Sequence, residues 1–224
     1  MQKVILFDIN ETVLDLSPLR PKFKLYLNNE SHMDTWFAML LHSSTVSLIT
    51  GVKTNFKRLA HAALVTLAAR LNTTLSDNEL DDIVSTFANL PPHDDISPSL
   101  TMLRRAGFKL VAFSNSSLTL LDAQLTNANI IQQFDDVISV ESAGTFKPSK
   151  DAYQYALQAI GVSAKDACLV ATHDWDTHGA LCAGLNAAFI NRFNTPYNAI
   201  YKKPTIIGDT MTSIAQQIID DRVK

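Results

Sequence analysis

Asp8, Lys147 and Asp176 are the side chains in this sequence with the clearest chemistry, and all three follow or adjoin short apolar runs. Asp8 closes the run Lys3 to Asp8 (KVILFD), Lys147-Pro148 follows Asp136 to Val140 by a short loop, and Asp176 ends Thr172-His173-Asp174-Trp175-Asp176 after Ala167 to Ala171. A fourth polar group, Ser114-Asn115-Ser116-Ser117, ends the run Lys109 to Ser114 (KLVAFS). An ammonium between two carboxylates keeps both ionised at neutral pH, and that suits one as a nucleophile and the other as a base. Taken alone, each residue has a plainer role, because an Asp after a strand commonly caps a helix or shapes a turn. Four such groups at successive run ends point to a shared crevice.

The runs read as strands buried on both faces, the pattern of a parallel sheet covered by helices, and Ala187 to Ile190 adds a fifth. Helical stretches alternate with them. Ser97-Pro98 is expected to open a helix that stops at Ala106-Gly107, and Leu118 to Ala128 forms another. Ala152 to Ile160, followed by Gly161, forms the next, and Asp209 to Asp220 the last. The alternation predicts an α/β fold with a doubly wound parallel sheet. Ligands of such sheets bind beyond the carboxyl ends of the strands, where the four polar groups lie.

Residues 15–90 break the alternation. Asp34 to Ile49 and Asn55 to Leu71 have helical spacing, Ser76-Asp77-Asn78-Glu79 is a capping box before a further helix, and Pro91-Pro92 closes the interval. The expected organisation is a core of 1–14 plus 91–224 with a helical subdomain, 15–90, inserted after the first strand.

The motifs FDINETVLDL, VAFSNSS, FKPSKDAYQYA and LVATHDWDTHGA, in that order, resemble the four motifs of the haloacid dehalogenase (HAD) superfamily. The resemblance covers essentially the whole chain and identifies the inserted helices with that superfamily's cap. Lys147 followed six residues later by Tyr153, together with Trp175-Asp176, is most similar to the type II 2-haloacid dehalogenases. The resemblance implies attack by Asp8 on a 2-haloalkanoic acid, halide displacement, and hydrolysis of the aspartyl ester by water that Asp176 activates, with Lys147 holding Asp8. It also implies that Thr12, Ser114 and Asn115 position the nucleophile or bind the substrate carboxylate and that Tyr153 and Trp175 wall the pocket; Asn10, Phe37 and His173, where the chain departs from the family, are added as candidate substrate contacts from their own positions. No metal or other cofactor is expected on this reading. The expected partner is a small halogenated carboxylic acid, and a homodimer is plausible from the family.

Phosphatases of the same superfamily carry a second Asp two residues after the nucleophile to protonate the leaving oxygen. Here that position is Asn10, which cannot act as an acid. They also hold Mg²⁺ with a pair of acids in the fourth motif, the first of which aligns with Thr172. A Mg²⁺-dependent small-molecule phosphatase therefore stands second, and a catalytically feeble binding protein third. Other positions depart from the dehalogenase pattern. The cap arginine that cradles halide, just after a tryptophan, is replaced by Phe37 after Trp36, the glycine after position 10 is Glu11, and the fourth motif carries Ala171 and His173. Asn115, Trp175 or a protonated His173 is left to receive the halide. His173 is read either as a base or halide contact paired with Asp174, or as a residue that orients the loop, and His178 as a supporting residue one turn into the helix. Among the apolar residues of the insert, Phe37 and Phe56 are pocket candidates, while Met33, Trp36 and Met39 read as core.

The 224 residues are 46% hydrophobic and 18% charged, an ordinary globular composition, and 19 Lys plus Arg against 22 Asp plus Glu give a formal net charge of −3. Without a basic run, nucleic-acid binding is not expected. No apolar stretch approaches the ~20 residues of a membrane span, and no signal-peptide pattern opens the chain, so a cytoplasmic protein is expected. Cys168 and Cys182 are expected as buried, reduced thiols. Arg104-Arg105 and Lys202-Lys203 read as solvated surface charge.

Overall fold

The computed structural model describes residues 4–223. Six parallel strands form one sheet: β1 (Val4–Phe7), β2 (Lys109–Ser114), β3 (Asp136–Ser139), β4 (Ala167–Ala171), β5 (Asn186–Ile190) and β6 (Ile206–Gly208). Their order is β3-β2-β1-β4-β5-β6. β1 pairs with β2 through Phe7↔Ala112 and with β4 through Phe7↔Val170. It is therefore the centre of the sheet, and the connections reverse direction beside it. Every residue of β1 and β4 is buried, which is why their sequences are apolar without alternation.

Four helices follow β1: α1 (Arg20–Leu27), α2 (His32–Thr50), α3 (Phe56–Arg70) and α4 (Asp77–Thr86). Asn55 caps α3 by accepting from the Arg58 N–H, and the expected capping box of Ser76 and Glu79 opens α4. Trp36 is the hub of this layer. It is fully buried, packs on Phe23 and Phe87 at centroid distances of 5.3 and 5.5 Å, and donates from Nε1 to the Ala60 carbonyl. The chain leaves and re-enters the sheet side by side: Asp15 N–H donates to Pro91 O, His93 N–H donates to Val13 O, and Leu14 bridges Pro92.

The remaining helices are α5 (Ile96–Arg105), α6 (Leu118–Asn127), α7 (Lys150–Ile160), α8 (Asp174–Ala183) and α9 (Met211–Val223). Ser117 and Ser149 cap α6 and α7 through their hydroxyls, and Gly161 ends α7 at φ +69°. Three expectations need correction, and one falls outside the described residues. Lys3, the expected first residue of β1, lies outside the described residues. α5 starts at Ile96 rather than after Ser97, because Pro98 still fits in the first turn where no N–H is needed, and the Ser97 hydroxyl instead receives Gln133 Nε2. Cys168 is buried as expected but Cys182 is exposed, on the side of α8 away from the sheet. Arg104 is also more than surface charge: it donates to Gln133 O and pairs with Asp135 at the entry to β3.

Gly179 on α8 is closely approached by α7 and the loop before it. A Cβ there would lie 2.6 Å from Pro148 Cβ and 2.6 Å from the Tyr153 hydroxyl oxygen. Gly179→Ala gains about 1 kcal/mol of helix propensity, yet the overlap is expected to cost about 1–3 kcal/mol. The variant should therefore unfold at lower urea concentration than the parent. An unchanged or raised midpoint would contradict this packing.

Candidate active site

The ends of β1, β2 and β4 and the loop after β3 meet around Lys147. Its Nζ lies 2.7 Å from Asp8 Oδ1, 2.6 Å from Asp176 Oδ2 and 3.3 Å from the Phe113 carbonyl, and the residue is 1% exposed. Asn115 fixes the backbone of this lysine. Its Oδ1 accepts the Lys147 N–H at 2.8 Å and its Nδ2 faces the Lys147 carbonyl at 3.5 Å.

Each oxygen of Asp8 has different company. Oδ1 meets Lys147, while Oδ2 receives the Thr12 hydroxyl at 2.7 Å and lies 3.0 Å from His173 Nδ1. Thr12 Oγ1 in turn accepts the Thr172 N–H, which ties the ends of β1 and β4 together. Burial opposes the Asp8 charge, but Lys147 and His173 outweigh it and hold the carboxyl well below the ordinary carboxylate range. For Asp176, burial and the nearby Asp8 charge outweigh Lys147 and Tyr153, so its pKa is raised. Lys147 is also raised, because its two carboxylates overcome its burial. The two acids thus separate into one that stays anionic and one with greater affinity for a proton.

Several expected pocket residues sit elsewhere. Tyr153 is fully buried behind Asp176 and donates its hydroxyl to Asp176 Oδ1 at 2.6 Å, so it holds the acid instead of walling the pocket. Asn10 is locked on both ends of its amide, donating to Ser116 Oγ and accepting from Gln124 Nε2. Ser114 Oγ accepts the Ser116 N–H. Phe37 and Trp175 flank the ring of His173, the residue in contact with Asp8, at centroid distances of 6.3 and 5.1 Å. Trp175, Lys147, Pro148, Leu41, Ser44 and Tyr201 line a cavity of about 280 Å³. Phe56 lines a different and larger one, about 640 Å³, between Leu40 on α2, Phe87 and Leu120 on α6. His178 stacks on Tyr201 and accepts the Lys202 N–H, away from Asp8. Asp174 likewise turns to the Asn198 N–H and not to His173.

Two contributors escaped the sequence reading. Arg192, two residues past β5, donates from Nε to Thr12 O and pairs with Asp95, bracing the turn that carries Asp8. Glu11 reaches His173 Nε2 with Oε2 at 2.8 Å. Its backbone is left-handed, φ +65°, a conformation that disfavours a side chain. The sequence does carry one signal for each: a charge at a strand end, and a large residue where the resemblance expects glycine.

Mg²⁺ would need a near-octahedral set of oxygen ligands. At the turn after β1 the available oxygens are already committed, Asp8 Oδ2 to Thr12 and His173 and Asn10 Oδ1 to Gln124. Thr172 replaces an acid and is followed by the imidazole. This donor set does not fit the ion. Among the described residues no other group of three His, Cys, Asp or Glu side chains is arranged to hold a metal, and no helix is long and apolar enough to cross a membrane.

A family model described as haloacid dehalogenase-like hydrolase matches residues 2–184. An (S)-2-haloacid dehalogenase of Pseudomonas putida is 24% identical over 218 residues, spanning 96% of each chain. The structure of L-2-haloacid dehalogenase from Xanthobacter autotrophicus superposes with a TM-score of 0.91 at 21% identity, covering 97% of this chain and 98% of that one. A second structure of that enzyme, with chloropropionic acid covalently bound, gives 0.90.

The pairing of His173 predicts how stability varies with pH. Burial lowers its pKa, but hydrogen bonds to Asp8 and Glu11 prevail and raise it from 6.5 to about 10. A raised pKa contributes stability that is complete below the unfolded value near 6.5 and is lost as pH climbs toward 10. Urea midpoints should fall across that window in the parent protein and fall less in His173→Gln. Parallel curves would refute the pairing.

Proposed function

This chain belongs to the haloacid dehalogenase-like hydrolases, and we propose that within them it hydrolyses the carbon–halogen bond of 2-haloalkanoic acids to give 2-hydroxy acids. The observation that carries this reading is the Lys147 ammonium bridging Asp8 Oδ1 and Asp176 Oδ2 in a buried crevice. It keeps Asp8 anionic without using both lone pairs of Oδ1. The named activity of the P. putida relative and the covalent chloropropionic acid adduct of the X. autotrophicus enzyme support the same chemistry.

In the first step Asp8 attacks C2 from the side opposite the halogen, the carbon–halogen bond breaks, and halide leaves with its electron pair. The product is an ester of Asp8. In the second step water gives a proton toward Asp176, whose raised proton affinity suits a base, and its oxygen adds to the Asp8 carboxyl carbon. Collapse expels the 2-oxygen, which takes that proton from Asp176, and the second hydrogen of the water leaves Asp8 for solvent, so Asp8 returns as a carboxylate. Splitting the displacement this way replaces one hard step by two easier ones. Halide needs no protonation, so the locked amide of Asn10 does not impede it. A phosphate ester would need an acid at that position, and the oxygen set beside Asp8 does not suit Mg²⁺; both observations place the phosphatase reading second.

Residues 15–90 then form the cap over a core of 1–14 plus 91–224. Trp36 and Phe37 occupy the stretch where the family's halide-binding arginine is expected, and Trp36 is spent on the packing of the insert. Leu25, Val46, Ile49, Val52 and Val65 are exposed on the insert, an apolar surface that a second copy would cover in a homodimer.

Back-side attack inverts C2, and the second step does not touch it. The (S) enantiomer of 2-bromopropionate should therefore yield (R)-lactate with halide release that survives a chelator. Asp8→Asn should abolish release. Retained configuration, or turnover that needs Mg²⁺, would overturn the proposal.

A further inference from the structure

His173 stands between two carboxylates, with Nδ1 3.0 Å from Asp8 Oδ2 and Nε2 2.8 Å from Glu11 Oε2. Ionised carboxylates only accept, so both ring nitrogens must donate, and only the imidazolium carries two N–H groups. Asp8 approaches from the end of β1 and Glu11 from the turn after it. Lys147 and Asp176 lie beyond Asp8, Arg20 adds a longer-range attraction on Glu11, and the ring faces are covered by uncharged Trp175 and Phe37. Glu11 holds a left-handed backbone at φ +65° to make this contact. A side chain kept in a conformation that costs about 1 kcal/mol or more signals that something else compensates for it.

We propose that His173 is a catalytic oxyanion donor in the ester-hydrolysis step and that Glu11 is the positioning residue that keeps it an imidazolium. The proposal rests on the dehalogenase reading above and assigns residues to its second half. Oδ2 has both of its in-plane lone pairs engaged, by Thr12 and His173, whereas Oδ1 meets Lys147 alone. Oδ1 is thus the oxygen free to form the bond to carbon, and Oδ2 becomes the carbonyl oxygen of the ester. When water adds to the carboxyl carbon, the π electrons move onto Oδ2, directly in front of the Thr12 hydroxyl and the His173 Nδ1–H. As the tetrahedral centre collapses, those electrons return and the bond from carbon to Oδ1 breaks, leaving the 2-hydroxy acid. Fixed donors aimed at developing charge are among the larger single contributions to such steps.

Glu11 is needed because of the intermediate itself. In the resting site Asp8 alone would favour the imidazolium. Once Asp8 is esterified its charge is gone, and Glu11 is then the one carboxylate bonded to the ring. Without it the ring is flanked by an uncharged ester on one side and two aromatic faces, an environment that favours neutral imidazole.

The test compares the parent with Glu11→Gln, Glu11→Gly and His173→Gln in single turnovers of (S)-2-bromopropionate. Halide release and the breakdown of the ester, the latter seen by intact-protein mass, are timed separately. Glu11→Gln and His173→Gln are expected to slow ester breakdown about tenfold or more while changing halide release by much less, so the ester accumulates. ¹⁵N NMR should show His173 protonated at both nitrogens at pH 8 in the parent and titrating at lower pH in Glu11→Gln. Glu11→Gly relieves the backbone strain and should still share the slow ester breakdown of Glu11→Gln, which a role confined to holding the strained turn would not produce. Equal slowing of both steps, no slowing, or a neutral His173 at pH 8 in the parent overturns the proposal and leaves the dehalogenase reading standing. Absence of both halide and ester with the parent overturns the two together.

Discussion

One ammonium shared by two buried carboxylates is the constraint on which the rest of this structure depends. Lys147 is 1% exposed, and Asp8 and Asp176 are 5% and 0% exposed. Removing either kind of partner from such a cluster leaves an uncompensated buried charge, an effect of about 3–5 kcal/mol. The surrounding bonds act to hold the lysine still. The Phe113 carbonyl takes another of its hydrogens, Asn115 clasps its backbone, and the Tyr153 hydroxyl fixes the far oxygen of Asp176. The proposed mechanism depends on these bonds, since Asp8 can attack only while its charge and direction are maintained.

The sheet supplies that direction. β1 lies between β2 and β4, so the residues just past their carboxyl ends come together without any long loop. Hydrogen bonds then stitch the strand ends to one another. Thr12 Oγ1 accepts from Thr172 N–H, and Arg192 reaches from β5 to Thr12 O while gripping Asp95 at the start of α5. The turn carrying Asp8 is therefore held from the ends of β4 and β5. The paired passage of Leu14 and Pro92 fixes where the helical insert leaves and returns, which places Phe37 over His173.

The sequence was most informative where burial is uniform. The runs at β1, β2 and β4 are apolar because both faces are covered, and the polar residue that ends each run is conspicuous for the same reason. Strand β6 is only three residues, Ile206–Gly208, too short for any period to register. Cys182 sits in an apolar-looking helix, but its place on the outward side follows from how α8 packs on β4 and β5. Tyr153 and Asn115 lie beside the Lys147 cluster, but one holds Asp176 and the other the Lys147 backbone. Spacing shows that a side chain reaches an acid but not from which side, and both approach from within the protein. Glu11 was harder still, because its reach to His173 requires a left-handed backbone that no pattern of residue types announces in a non-glycine.

Glu11 and His173 are intelligible only as a pair. A glutamate alone at position 11 would combine backbone strain with a carboxylate close to the Asp8 charge. A histidine alone at 173 would have one carboxylate instead of two and would be readier to lose its proton as Asp8 reacts. Together they add a cation and an anion, so the formal charge of the crevice is unchanged while a positive donor is fixed at Oδ2. That is a different solution from an arginine on the insert. It places the cation on the nucleophile's own oxygen, 3.0 Å away, rather than on the departing halide. A site built this way favours the return of Asp8 from its ester over the first displacement, because the donor faces the charge that develops when water attacks.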